Sequence, residues 1–223
     1  MSDGVFITGT GTEVGKSVVA AVIAAEAVAA ARRVAVFKPA VSGLEESGEA
    51  DHELLRRASR SAQSDDEIAP YRYQPSVSPH LAAELAGERV EPERLLVAAA
   101  TAATKGDVLI CEGVGGLLVP LGGRYLIRDF AVQLGYPLIV VATPGLGTIN
   151  HTLLTLEAAR STGLDVRAVV INLWPGKPSA MERSNRETIA ELGEVEVLTL
   201  SQIDLAEPEG WPSLGLLDGA SSN

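Results

Sequence analysis

Residues 9–17 read GTGTEVGKS, and a Lys-Ser pair closing a glycine-rich turn is chemistry for holding phosphates. Backbone amides after Gly11 would face a phosphate chain, Lys16 would reach its outer oxygens, and the Ser17 hydroxyl would ligate magnesium. Gly9 and Gly15 enclose five residues, one more than the common form G-x-x-x-x-G-K-[ST]. The competing reading is a plain strand-turn-helix whose glycines relieve backbone strain. The context, VFIT before the turn and VVAAVIAAEAVAAA after it, favours binding of a nucleoside triphosphate.

Five more places could carry chemistry. Lys38 stands at the end of an apolar run and is followed by PAVSG, which puts Ser42 in a turn. Such a lysine could stabilise charge on a transferring phosphoryl group or be a solvated strand-end residue, and spacing leaves both open. Asp51 opens a helical pattern, where it is either a first-turn acid or a metal ligand, while Glu112 follows DVLIC and precedes a glycine turn, a place suited to magnesium. Thr148 could cap a helix at TPGLGTINH, or the free amides there could bind a carboxylate. Asn172, closing VVIN, could read a base edge or make a local turn bond. His151 has no Ser or Cys nucleophile with an oriented acid beside it in the pattern, and stays outside the catalytic set.

Positioning these residues requires a scaffold, and the pattern supplies one. Apolar runs at 5–8, 34–37, 108–111, 138–141, 166–171 and 195–198 suit buried parallel strands. Helical periodicity falls between them at 17–31, 92–104, 150–162 and 180–192, with shorter candidates at 51–60 and 126–134. The expectation is a single α/β domain over 1–223 of the P-loop NTPase-like class, a mostly parallel sheet with helices on both faces. Ligands then gather beyond the carboxyl ends of the strands, so the phosphate loop, Lys38, Glu112, Thr143-Pro144 and Asn172 should converge. The polar stretch 42–79 is expected to be a mobile or partner-ordered excursion, and the segment after Leu200 a frayed, poorly structured tail from about residue 205.

Composition narrows the partners. A net charge of −11 and few aromatic residues argue against nucleic acid, though local lysines and a divalent cation can still neutralise a triphosphate. A single Cys111 and three scattered histidines offer neither an internal disulfide nor zinc-like spacing, which fits a cytoplasmic protein. The opening MSDGVFITG lacks a basic start, and the alanine-rich helix carries Glu26, Arg32 and Arg33, so neither secretion nor a membrane span is expected.

GTGTEVGKS, KPAVSG at 38–43, the Asp51 helix, SPHLAAE at 78–84, EGVGGLLVPL at 112–121 and GLGTINHTLLT at 145–155 together resemble the dethiobiotin synthetase family, in order over most of the chain. The resemblance implies an ATP- and magnesium-dependent ligase that closes the ureido ring of dethiobiotin on 7,8-diaminopelargonic acid with CO2. The implied route runs through a carbamate and a carbamic-phosphoric anhydride. It implies that Glu13, Val14, Gly15, Lys16, Ser17 and Val18 wrap the phosphates, with Gly113, Val114 and Gly115 lining them. Ser17, Asp51 and Glu112 would hold magnesium, Lys38 would be the active-site lysine, and Lys16 would accompany the migrating charge. Thr12 and Ser42 would position the diamine or its carbamate. In a homodimer, Gly147 and Asn150 of the neighbouring subunit would receive the substrate carboxylate. Ser17 replaces the more usual threonine. Where relatives often carry Asn-Asp this chain has Asn172-Leu173, and where they commonly show a proline it has about Ser201, and both changes fall in the implied base pocket. Two other readings compete: an amide ligase of the cobyrinic acid type and a regulatory ATPase switch of the partitioning or septum-positioning class. The first usually carries a glutaminase domain. The second usually has an extra early loop lysine, where this loop has only Lys16.

Overall fold

The structure, a computed structural model, describes residues 3–45 and 48–217. Six parallel strands form its main sheet in the order β2-β3-β1-β6-β7-β8: β1 Asp3–Gly9, β2 Val34–Phe37, β3 Val108–Gly116, β6 Leu138–Ala142, β7 Val166–Asn172 and β8 Glu196–Leu200. Period-2 alternation assigns the side chains to two cores. Phe6, Ala35, Phe37, Leu109 and Cys111 face one side, and Val5, Ile7, Val34, Val36, Val108 and Ile110 the other. The second face is covered by α1 Lys16–Ala29 and α2 Asp51–Ser59. The first is covered by α4 Pro79–Leu85, α5 Pro92–Ala103, α6 Ile127–Leu134, α7 Thr148–Arg160 and α8 Ala180–Gly193. Short α3 Asp65–Ile68 and a hairpin of β4 Pro120–Gly122 with β5 Tyr125–Leu126 complete the described elements, besides a 3-10 turn at Pro208–Gly210.

Central β1 has β3 on one side and β6 on the other, and the loop leaving its carboxyl end is the phosphate loop. That is the crevice in which an open parallel sheet presents ligands. Among the described residues no helix is long and apolar enough to cross a membrane.

The stretch 42–79, expected to be a mobile excursion, is instead packed. Leu55 and Ile68 are fully buried beneath α1 and the sheet, and Tyr71 and Tyr73 enter the opposite core. Its return leg runs beside its start: Lys38 N donates to Ile68 O (2.8 Å), Val41 N to Tyr71 O (2.9 Å) and Tyr73 N to Val41 O (2.8 Å). Buried side chains at wide, irregular spacing explain why composition alone read it as loose.

The expected frayed tail is also corrected over its described part. Residues 201–217 hold little regular structure but lie along α1. The Glu26 carboxylate there accepts from Ser213 Oγ (2.6 Å), Leu214 N (2.8 Å) and Gly215 N (3.0 Å). Leu216 and Leu217 are buried in the α1 core, and Arg57 Nη1 donates to Leu205 O (2.8 Å). Residues 46–47 of the stretch and 218–223 of the tail lie outside the described residues.

Candidate active site

The phosphate loop turns into α1 at Gly15, whose left-handed φ of 87° only glycine adopts freely. Lys16 is therefore the first helical residue, and no side chain caps the helix, which leaves its first-turn amides without intrahelical partners, as an anion site requires. Lys16 is buried, and its Nζ folds back to donate to Gly11 O at 2.9 Å. Burial pulls its pKa below the usual lysine range, and Lys38 adds to that, while Glu112 and Asp51 resist.

Around the loop lies a cluster of four side chains, from α1, α2, β3 and the residue that follows β2. Lys38, one residue past β2, is 2% exposed, so the solvated strand-end reading does not hold. Its Nζ sits 2.6 Å from Glu112 Oε1 and 2.8 Å from Asp51 Oδ2. Ser17 Oγ, in the first turn of α1, lies 2.7 Å from Asp51 Oδ1 and 2.9 Å from Glu112 Oε1, its single proton shared between the two acceptors. Asp51 is the first residue of α2, with Ala50 as cap, so its carboxylate is free to turn into the cluster. Glu112 lies within β3, which runs on through the glycine turn, and is fully buried. Its Oε2 has no hydrogen-bond partner among the described residues.

The charges set each other. Lys38, first, holds Asp51 at about 2, against the opposing effect of burial. Burial works against the Lys38 ammonium, but Glu112 and Asp51 outweigh it and raise its pKa. Burial pushes Glu112 up, with Lys38 opposing. The outcome is a buried lysine that stays charged, held between two acids.

A cleft of about 810 Å³ opens over this cluster. Thr12, Glu13, Gly15, Lys16, Ser17 and Val18 line it, with Lys38, Ser42, Asp51, Glu112, Val114 and Gly115. Gly115 approaches the loop closely: a Cβ there would meet Val119 Cγ2 at 2.8 Å and Thr12 Oγ1 at 3.6 Å. Val14 turns its side chain into the α1 core, Gly113 is wedged against Ile127 and Phe6, and neither is among the residues lining the cleft.

Other candidates lie apart. Asn172 is buried and donates its Nδ2 to Val14 O at 3.2 Å, a bond to the phosphate loop and no local turn. Leu173 follows in the left-handed region (φ 57°), half-exposed, and Ser201 is exposed beyond β8. Gly147 and Asn150 sit at the amino end of α7, outside the lining of this cleft. Thr148 does not cap that helix: Gly147 holds the cap position, and Thr148 Oγ1 is buried with no hydrogen-bond partner among the described residues. Thr143-Pro144 also stays outside the cleft, Pro144 O accepting from Asn185 Nδ2 at 3.0 Å. Sequence reading missed Arg72 and Leu205, which also line the cleft. Both arrive from segments without periodicity, so nothing in the chain pointed to them.

A family model described as an AAA domain matches residues 3–207. The chain is 40% identical over 217 residues to the ATP-dependent dethiobiotin synthetase BioD of Anaeromyxobacter dehalogenans strain 2CP-1, covering 97% of each. It is 38% identical over 196 residues to the protein of that name from Bacillus subtilis strain 168, covering 87% of this chain and 85% of the relative. The chain belongs to the dethiobiotin synthetase family. Membership over nearly the whole length embraces every element that supplies the cluster, from the phosphate loop through α2 and β3.

Solved structures give the fold more broadly. A ParA family ATPase from Chlorobium tepidum TLS superposes with a TM-score of 0.57 at 14% identity, covering 100% of this chain and 95% of that one. The MinC:MinD cell division protein complex of Aquifex aeolicus gives 0.61 at 14%, covering 93% and 85%. At such identities they show the fold alone, the P-loop NTPase-like α/β class, and set no function against that of the dethiobiotin synthetase family.

Proposed function

We infer that this chain is an ATP-dependent dethiobiotin synthetase acting on 7,8-diaminopelargonic acid and CO2. The observation that carries the reading is Lys38, buried and charged between Asp51 and Glu112 beside the phosphate loop. An amine of the diamine adds to CO2 and loses a proton to give a carbamate. A carbamate oxygen attacks the γ-phosphorus and ADP leaves. The second amine then attacks the carbonyl carbon of the anhydride, and phosphate departs as the ring closes. Lys38 and Lys16 stabilise the charge on the transferring group, where the partly dry site strengthens their effect. Thr12 and Ser42 line the same cleft and hold the diamine or its carbamate. No enzyme nucleophile enters the sequence, in keeping with Cys111 being buried in the core.

Magnesium suits the oxygen donors present. Ser17, Asp51 and Glu112 would hold it, and the unpaired, buried Glu112 Oε2 is an acceptor suited to a hard cation. When bound, the ion neutralises charge on the β- and γ-phosphate oxygens. The phosphate contacts fall to Glu13, Val14, Gly15, Lys16, Ser17 and Val18 with Gly113, Val114 and Gly115, and the base end to Asn172, Leu173 and Ser201.

We assign Gly147 and Asn150 to the neighbouring subunit of a homodimer, where they receive the substrate carboxylate. Two observations support this: they do not line their own protomer's cleft, and Leu146 beside them is 92% exposed. The whole chain acts as one ligase domain in the cytoplasm, a setting that fits its lone cysteine. Incubating the protein with diamine, bicarbonate, magnesium and ATP should release phosphate and dethiobiotin in equal amounts. ATP turnover indifferent to the diamine but stimulated by lipid or DNA would instead favour the switch reading.

A further inference from the structure

Among the described residues no side chain caps the amino end of α7. Gly147 takes the cap position at a φ of 93°, and Thr148, buried as the first helical residue, leaves its Oγ1 without a hydrogen-bond partner. The turn that leads into α7 is held from the neighbouring helix instead. Asn185 of α8 is 7% exposed, and its Nδ2 donates to Pro144 O at 3.0 Å and to Gly145 O at 3.4 Å. An amide nitrogen carries two protons, so one side chain can serve both carbonyls. Gly145 O also accepts from Thr148 N at 3.2 Å, which ties the same turn to the first turn of α7. In a trans peptide the C=O and the following N–H point in opposite directions. Fixing Pro144 O and Gly145 O toward Asn185 therefore turns the N–H groups of Gly145 and Leu146 away from it. Asn185 itself stands on a firm base, because Ile189, one turn further along α8, is fully buried in the same core as Leu156 and Ala159 of α7.

We propose that Asn185 is a positioning residue for the substrate carboxylate that acts across the subunit boundary: it sets the direction in which Gly147 and Asn150 of its own protomer enter the neighbouring subunit's cleft. The proposal rests on the shared-site reading above. It gives a task to a buried polar side chain on a helix that supplies no residue to the lining of its own protomer's cleft.

The test is steady-state kinetics of dimers purified through two affinity tags, one on each subunit, with melting curves so that only folded variants are compared. The Asn185→Ala homodimer should raise KM for the diamine about tenfold, the size of a lost orienting hydrogen bond, with kcat and KM for ATP little changed. Asn185→Asp, nearly isosteric, should raise it at least as far, because its carboxylate faces two carbonyl oxygens, and it stands in for the alanine variant should that one not fold. With 2,3-diaminononane, which has a methyl group in place of the carboxylate, wild-type and variant should share one KM. A dimer of one Asn185→Ala and one Lys38→Ala subunit keeps one working site, in which Lys38 meets its partner's intact turn, so KM for the diamine should return to the wild-type value. A dimer of one wild-type subunit and one carrying both changes keeps one site that meets the altered turn, and its KM should stay raised. The opposite pattern in the two mixed dimers would overturn the proposal by placing the effect of Asn185 within its own protomer. Unchanged KM for the diamine in the Asn185→Ala homodimer would overturn it too. No turnover in a mixed dimer of Lys38→Ala with Gly147→Glu would instead sink the shared-site reading on which it rests.

Discussion

Lys38 shows how much of a site depends on what covers a residue. Its place at a strand end was plain in KPAVSG, but its chemistry follows from Asp51 and Glu112, 13 and 74 residues further along, which keep a buried ammonium charged. The sequence alone could not choose between this and a solvated lysine, because nothing in local spacing tells which segments fold over it. Glu112 was easier, since an acid between an apolar run and a glycine turn has few ordinary uses. Asn172 was harder, since its bond to Val14 O depends on how far a side chain at one strand end reaches across the sheet. At this scale Lys38→Ala should lower kcat by about 100- to 1,000-fold with a modest change in KM for ATP. Steady-state kinetics measures it, and near-normal turnover would remove Lys38 from the mechanism. Glu112→Gln should weaken manganese binding in the presence of nucleotide, read by electron paramagnetic resonance titration, and unchanged affinity would count against Glu112 as a ligand.

Among the elements, the six strands of the main sheet and the six longer helices were legible because each spans enough residues for its period to show. The hairpin of β4 and β5, and the short helices α3 and α4, were not, being too brief to display one. The largest error concerned 42–79, where polar composition hid the anchors Leu55, Ile68, Tyr71 and Tyr73. Their packing also holds Lys38 and Val41 by backbone hydrogen bonds, so this segment is part of the site's frame. Leu55→Ala should therefore cost about 2–5 kcal/mol of global stability in denaturant unfolding, with one cooperative transition. A mobile excursion would lose almost nothing. Burial, with Glu88 nearby, pushes the Tyr73 phenol up to about 12 from 10.0. A raised folded-state pKa gives stability that is present below pH 10 and lost as pH rises toward 12. Tyr73→Phe should flatten that alkaline decline in urea unfolding measured across this window, and an unchanged slope would contradict it.

For the whole molecule, strand alternation with helices announced a parallel sheet, whereas the order β2-β3-β1-β6-β7-β8 and the clasp of residues 201–217 by Glu26 could not be read from the chain. Both depend on long-range packing between segments with no local pattern. The same scale holds the proposed sharing of the site between two subunits. Mixing inactive Lys38→Ala with inactive Gly147→Glu and letting subunits exchange should restore up to about a quarter of wild-type turnover, because each mixed dimer assembles one intact site. Absence of recovery would confine the site to one protomer. The central claim is that a carbamate oxygen is phosphorylated in the Lys38 cleft. It is tested most directly by supplying freshly dissolved CO2 labelled with ¹⁸O and analysing the products by mass spectrometry. One labelled oxygen should appear in the released phosphate and the other in the ureido carbonyl of dethiobiotin. Phosphate free of label, formed alongside labelled dethiobiotin, would contradict the account.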